Sequence, residues 1–541
     1  MLMAPPVRRA AERLALAVPA AALPLTASPE AGAVPARPAR IEWAVAGKQI
    51  YLIGIGGSGM SGLARMLRGR GAIVSGSDAS PSPATAAIVA DGMAVGFDQA
   101  SGRLPEGCEM VIASAAIKPD HAQMIEAEKR RIEHYTYAEA LGKAMLGRTT
   151  VCVAGTHGKS TTTAMLGFVL AHAGLDPAVI LGATCKQLAE SGGRAGSSGG
   201  FRLGADVIPE GELAGLPGLF VAESCEFNRS FHNYRPTIAV ITSVEADHLD
   251  MYGTLDAVVE SFNHFAKLIA PEGQGGTLLI AHEGAHKREV TAGVECAVQT
   301  IGYAPGADWS VKHDPETRRT TLMNPERLVA CEWTTNMPGD HNAMNAATAA
   351  ALALMLGADS KKISEALSTF AGVDRRSQFL GARPHPLGAG GEGGGLGGVG
   401  GVVRVYDDYG HHPTEVEATL RALRQFEKPQ ERNGRLICVF QPHQHSRTRH
   451  LMEEFASAFN AADVVIVPNI YFVRDSIEEK TKVTAGDLVD RLREKGVHAM
   501  HLYPFEAIIE QLENLCKPGD VLVVMGAGPV NEVAYGFLKK K

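Results

Sequence analysis

The stretch YLIGIGGSGMSGLARMLRGRGAIVSGSD, Tyr51 to Asp78, decides the fold. It reads as a buried strand, a glycine turn, a helix and a second strand. Gly54, Gly56 and Gly59 have the spacing G-x-G-x-x-G, with Gly57 and Ser58 inside the turn and Asp78 closing the next strand. Such glycines make a tight turn that lets the backbone approach a diphosphate at a helix N-terminus. A strand–helix–strand unit of this kind demands a parallel sheet. By rule the pattern is a dinucleotide fingerprint. The turn itself selects a diphosphate, with Asp78 as a candidate ribose contact, and does not specify a nicotinamide.

Working outward, EMVIASAAI is a further strand and PDHAQMIEAEKRRI a helix. A second unit opens at TTVCVAGTHGKSTTTAMLGFVLAHAG, and LFVAESCEF and TIAVITSVEADHLD supply strands that end in acidic or histidine-bearing loops. A third unit contains five strand candidates, in VVRVYDDYG, RLICVFQP, ADVVIVPN, HAMHLY and DVLVVMGAG, separated by helical stretches. The expected fold is α/β in three domains: Rossmann-like at residues 47–148, a central phosphate-loop domain at 149–372, and Rossmann-like again at 373–541. Residues 1–46 read as a disordered Ala/Pro-rich extension. Glu12 and Arg13 before its apolar run, and Pro19 and Pro24 within it, argue against a cleaved signal. The glycine-rich stretches 189–201 and 386–401 cannot pack a core and carry no chemistry.

The length of 541 residues fits three cores rather than one. A net charge of −7 argues against a nucleic-acid partner. No apolar run reaches the roughly 18 residues of a membrane span. Eight scattered cysteines without a C-x-x-C pair fit buried thiols in a reducing compartment, hence a cytoplasmic chain. Monomer and dimer both remain open.

The chemistry is carried by AGTHGKST, which follows the strand TVCVA and opens a helix. Backbone N–H groups from Gly155 through Thr156, His157 and Gly158 to Lys159 can surround phosphate oxygens. Lys159 can reach a β- or γ-phosphate, and the Ser160 hydroxyl, next to Thr161, can hold Mg²⁺. Magnesium needs more oxygen ligands. Glu223 at the end of one strand, and Glu245, Asp247 and His248 at the end of another, are the candidates.

Five segments, GTHGKSTTT, EADHLDMYG, GDHNAMNAATAA, DRRSQFLG and DDYGHHPTEV, together resemble the Mur ligases in composition and order, from Gly47 to about Leu538. The resemblance implies an ATP-dependent amide ligase of peptidoglycan precursor synthesis. Its substrates would be UDP-N-acetylmuramic acid and L-alanine, with a murein tripeptide as the alternative amine. The first domain would then hold the UDP-sugar, the second ATP, and the third would close over both. It further implies that Ser160, Glu223 and His248 hold magnesium, and that His341, Asn342 and Asn345 reach the adenine. Asp340 or Asn342 could instead cap a helix. Arg375 and Arg376 would act on the ATP phosphates as closing arginines. Asp408 would contact the ribose, and Tyr409, His411 and Arg447 the amino acid or carboxylate, with His411 a candidate base. Two departures stand out. ESCE, Glu223 to Glu226, replaces the family's E-A-D-E, and Gln444 stands where an arginine is usual. A nicotinamide oxidoreductase would leave GTHGKST unexplained, and a non-catalytic sugar-binding regulator would leave Lys159, Glu223 and His248 unexplained.

Overall fold

The computed structural model describes residues 42–191, 199–384, 401–473 and 475–539. The extension before residue 42 and most of the two glycine-rich stretches lie outside them.

Three sheets follow one another along the chain. The first is all parallel, with strands β1 (Gln49–Ile53), β2 (Ile73–Ser77), β3 (Ala94–Gly96), β4 (Met110–Ala113) and β5 (Glu133–Thr136) in the spatial order 3-2-1-4-5. The order reverses direction at β1, so the glycine turn after β1 opens into the crevice where such sheets bind ligands. The second sheet has ten strands: β6 (Thr149–Ala154), β7 (Ala178–Ile180), β8 (Phe201–Arg202), β9 (Leu219–Glu223), β10 (Ile238–Ile241), β11 (Thr277–Ala281), β12 (Ala297–Gly302), β13 (Trp309–Asp314), β14 (Arg319–Met323) and β15 (Val329–Thr334). Their order is 15-14-13-12-11-10-6-9-7-8, which puts β6 between β10 and β9. The third sheet orders β16 (Gln378–Pro384), β17 (Val402–Asp408), β21 (Val521–Met525), β18 (Leu436–Phe440), β19 (Val464–Val467) and β20 (Ala499–His501).

The central strands β6, β18 and β21 are buried at every residue, because helices cover both faces of a parallel sheet. Helix Lys159–His172 packs over β6, and helix Asp340–Met355 packs against that helix and over β13 and β14. The second of them buries seven alanines, small side chains that let two helices and a sheet approach closely.

Two parts of the fold were not legible. The third sheet holds six strands rather than five. β16 is an antiparallel edge strand whose alternation is broken by a bulge between Phe379 and Gly381. The second sheet is extended by β13, β14 and β15, which pair antiparallel with one another.

The first unit is seated on the second through helix Tyr137–Ala144. A Cβ on Gly142 would lie 2.3 Å from the carbonyl oxygen of Asn233, a backbone atom that cannot swing aside. Gly142→Ala is therefore expected to cost about 1–3 kcal/mol by overpacking, read as a lower urea midpoint. An unchanged midpoint would show that this contact does not set the docking.

Candidate active site

β6 ends in the phosphate loop. Gly155 has φ 130° and Gly158 φ 82°, values that glycine adopts freely. Space forbids a side chain at both: a Cβ on Gly155 would sit 2.1 Å from Thr242 Oγ1, and one on Gly158 2.6 Å from Asn345 Oδ1. The loop is tied to the end of β10. The Thr156 N–H donates to Ser243 O at 2.9 Å, and the His157 N–H to Ser243 Oγ at 3.0 Å.

Lys159 Nζ donates to Gly155 O at 2.6 Å and Thr156 O at 3.0 Å, and pairs with Glu226 at 3.0 Å. Burial opposes its charge, but Glu226 and its neighbours outweigh burial and hold the ammonium protonated. Ser160 Oγ donates to Glu223 Oε1 at 2.8 Å, and Glu223 Oε2 accepts from the Gly182 N–H at 2.6 Å. The candidate metal donors Ser160 and Glu223 are thus brought together. His248, in the left-handed region at φ 53°, stands edge-on to Phe227 at 5.1 Å. It faces the same cavity as Ser160, Glu223 and Asp247. Glu245 does not join them: it accepts from Thr414 Oγ1 at 2.7 Å and faces His157 at 3.4 Å.

Two cavities meet at this loop. One, of about 540 Å³, is walled by all three units: Ser58 from the first, Lys159, Ser160, Glu223 and His248 from the second, and Arg375, Arg376, Tyr409, His411 and Arg447 from the third. The other, of about 250 Å³, runs between the second and third units and is lined by His157, Gly158, Thr161, His341, Asn342, Asn345, Arg376 and Asp408. Arg376 borders both.

Arg375 and Arg376 both line the large cavity and both lie over the Tyr409 ring, but their other partners differ. Arg375 is tied into the third unit, donating to Gly526 O at 2.6 Å and Gly528 O at 3.1 Å and facing the buried Asp407 at 3.4 Å. Arg376 lies 4.9 Å from the Tyr409 ring centre and 3.8 Å from Glu415. The cap of helix Asp340–Met355 is Gly339, without any side-chain bond, so neither Asp340 nor Asn342 caps it. Asn342 Nδ2 donates to Pro338 O at 2.8 Å, and Asn345 Oδ1 accepts from Thr162 at 3.2 Å. Asp408, pushed up by burial, accepts from the Ser377 and Gly410 N–H groups at 2.6 and 2.7 Å. Asp78 turns back onto the glycine turn, accepting from the Gly56 N–H at 2.7 Å. Gly54 takes φ 80°, and a Cβ on Gly59 would meet the Tyr137 ring at 2.7 Å. Arg447 donates to Asp247 Oδ1 at 2.6 Å, both side chains under a tenth exposed, so it joins the second and third units. Gln444 is buried, with φ 69°, just before the short helix carrying Arg447.

Three acidic residues escaped the reading of the sequence as organisers of the site. Glu226 holds Lys159, Asp247 holds Arg447, and Glu415 accepts from the backbone of His411 at 3.0 Å and faces His157 and Arg376. Seven of the eight cysteines are buried and all are free; Cys225 is half-buried on the large cavity.

Burial drives the pKa of His341 and of His411 down to about 4, so both rings are neutral near pH 7. Burial also opposes charge on His157, but the facing carboxylates of Glu245 and Glu415 outweigh it and raise that ring to about 9. The signs are opposite. An unfolded histidine titrates near 6.5. The unfolded chain thus binds more protons than the native one between pH 6.5 and about 4, and stability falls with acid by up to about 1.4 kcal/mol per pH unit for each neutral ring. The His157 contribution is complete below pH 6.5 and is lost as pH rises towards 9. Urea midpoints are expected to peak near pH 6.5, with His157→Gln flattening only the alkaline limb. A level profile from pH 4.5 to 6.5 would contradict the neutral rings.

Residues 49–149 match the family model described as Mur ligase family, catalytic domain. Residues 153–353 match the Mur ligase middle domain, and 396–528 the Mur ligase, glutamate ligase domain. Among curated proteins, a UDP-N-acetylmuramate–L-alanine ligase of Agathobacter rectalis is 33% identical over 91% of this chain and 98% of its own. One of the same name from Mycobacterium sp. (strain JLS) is 37% identical over 89% and 93%. Among solved structures, a UDP-N-acetylmuramate–alanine ligase of Thermotoga maritima aligns with a TM-score of 0.68 at 23% identity, over 91% of this chain and 98% of that one. A murein peptide ligase of Psychrobacter arcticus aligns at 0.63 and 23%, over the same shares. The two structures share the fold, and the three consecutive matches together with the curated relatives place this chain in the Mur ligase family.

Proposed function

We propose that the protein is an ATP-dependent ligase that joins L-alanine to the lactyl carboxylate of UDP-N-acetylmuramic acid, releasing ADP and phosphate, in peptidoglycan precursor synthesis. The observation that carries this reading is the single cavity to which the glycine turn, the phosphate loop and the third unit all contribute side chains. The curated relatives bearing that activity in their names extend over about nine-tenths of the chain.

A carboxylate and an ammonium do not condense in neutral water. Moving the γ-phosphoryl group onto the carboxylate gives an acyl phosphate with a good leaving group, which the amine then attacks. The first step brings two anions together, so cations must line the site. Lys159, released from Glu226, supplies one at the β- and γ-phosphates, and Arg376, at the border of both cavities, supplies another. The nucleotide lies in the smaller cavity, its ribose at Asp408 and its base towards His341, Asn342 and Asn345. The UDP-sugar lies on the glycine turn, with Ser58 at the edge of the large cavity. A magnesium ion suits the hard oxygens of Ser160 and Glu223. Asp247 and His248 line the same cavity; the imidazole is the poorer match for so hard a cation. Bound there, magnesium neutralises phosphate charge. His411, neutral and beside Tyr409, accepts a hydrogen bond from the incoming amine. Its low pKa makes it an orienting acceptor rather than a lasting store for the proton. We assign 47–148, 149–372 and 373–541 as the sugar, nucleotide and closing domains. The reaction belongs in the cytoplasm, and among the described residues no helix is long and apolar enough to cross a membrane.

The test is phosphate release with Mg²⁺, ATP and UDP-N-acetylmuramic acid. L-alanine is expected to start it. Release with a murein tripeptide but not with L-Ala, Gly or L-Ser would instead assign the recycling activity.

A further inference from the structure

A second cluster of metal-ligand side chains lies apart from the Ser160–Glu223 pair. His157 of the phosphate loop, Glu245 after β10 and His412 of the third unit each bring one donor atom within 4.8 Å of the other two. The geometry points to a binding site for a divalent transition cation of the zinc class, held by His157, Glu245 and His412, which fastens the closing domain onto the phosphate loop.

Three observations favour a metal over a simple ionic contact. His157 Nε2 is buried without a hydrogen-bond partner and lies 3.4 Å from Glu245 Oε2. The other nitrogen, Nδ1, lies 3.2 Å from Glu415 Oε1. A ligating histidine is commonly oriented by such a carboxylate on its far nitrogen. Glu245 Oε2, the oxygen that faces His157, is held in place by Thr414 Oγ1, which donates to it at 2.7 Å. The His412 ring lies 4.9 Å from that of His157, and its own contacts are long: 3.3 Å to Ala246 O and 3.4 Å from the Thr414 N–H.

Two imidazoles and one carboxylate suit zinc, with a fourth position left for water or another oxygen. The hydroxyl and carboxylate of the Ser160–Glu223 pair suit magnesium instead. His157 and Glu245 also line the smaller cavity, so that fourth position is open to a phosphate oxygen. The ligands come from two units, so the metal joins surfaces that must part for the nucleotide to exchange. This inference does not depend on the identity of the amine substrate.

The experiment uses the full chain, stripped with chelator and titrated with zinc alone by calorimetry, then with cobalt followed by visible absorption. The expected result is one zinc per chain, not displaced by excess magnesium, and cobalt bands of a four-coordinate nitrogen–oxygen site. His412→Asn, which keeps a helix-capping side chain, and Glu245→Gln are each expected to weaken zinc binding at least about tenfold. Circular dichroism checks that both variants fold, and Glu245→Gln alone decides the matter if the other does not. Absence of stoichiometric zinc, or zinc binding that persists unchanged in the folded variants, overturns the proposal.

Discussion

Lys159→Ala is expected to lower L-alanine-dependent phosphate release by at least about a thousandfold, while calorimetry finds the affinity for UDP-N-acetylmuramic acid unchanged. The glycine turn that we assign to the sugar sits on a different sheet from the phosphate loop. The same substitution strands Glu226, whose side chain is 3% exposed. An unpaired buried carboxylate costs about 3–5 kcal/mol, so the variant is expected to unfold at lower urea. Adding Glu226→Gln removes the stranded charge and is expected to restore most of the stability and none of the turnover. Loss of sugar binding in the single variant would show that the assignment of the two loops is wrong. Recovery of turnover in the double variant would show that Lys159 serves the fold alone.

The two neighbouring arginines are expected to separate in the same way. Arg376→Ala should reduce kcat by about a thousandfold, the lower end of what a closing arginine contributes to phosphoryl transfer, with little effect on the urea midpoint. Arg375→Ala should do the reverse. It removes the bonds to Gly526 and Gly528 and leaves Asp407, fully buried, without its cation, a loss of about 3 kcal/mol. Burial already raises the Asp407 carboxyl to about 6 against the pull of Arg375. Without the arginine nothing opposes the rise, so ionisation of this buried carboxyl should destabilise the variant increasingly as pH rises through neutrality. If Arg375→Ala kept its stability but lost turnover, the roles would be exchanged.

The parts legible in the sequence were those whose cause is local. The glycine turn at Gly54–Gly59 and the loop at Gly155–Lys159 announce themselves because backbone geometry and a following helix are written into adjacent residues. The apolar runs of β6, β18 and β21 announce burial on both faces. What stayed hidden depends on distant partners. Glu226 is a plain acidic residue until Lys159, 67 positions away, reaches it. The pairing of Arg447 with Asp247, 200 positions away, leaves no trace in the sequence around either residue. Glu415 lies 258 positions from His157. β16 was missed because its bulge and Gly381 disturb the two-residue alternation, and Arg375 and Arg376, adjacent in sequence, gave no sign of facing different surroundings.

The shared walls of the smaller cavity have a thermodynamic consequence. His157, Asn345 and Thr161 come from one unit, and Arg376, Asp408 and Glu415 from another, so with the nucleotide seated there as we propose, its affinity and the closing of the third unit on the second are linked functions. Whatever factor the nucleotide contributes to shutting, shutting returns to the nucleotide. The Arg447–Asp247 pair does not itself line the smaller cavity, yet it belongs to the same cycle. A change there that favours the open form will appear in a binding experiment as a weaker nucleotide, with every contact in the cavity intact.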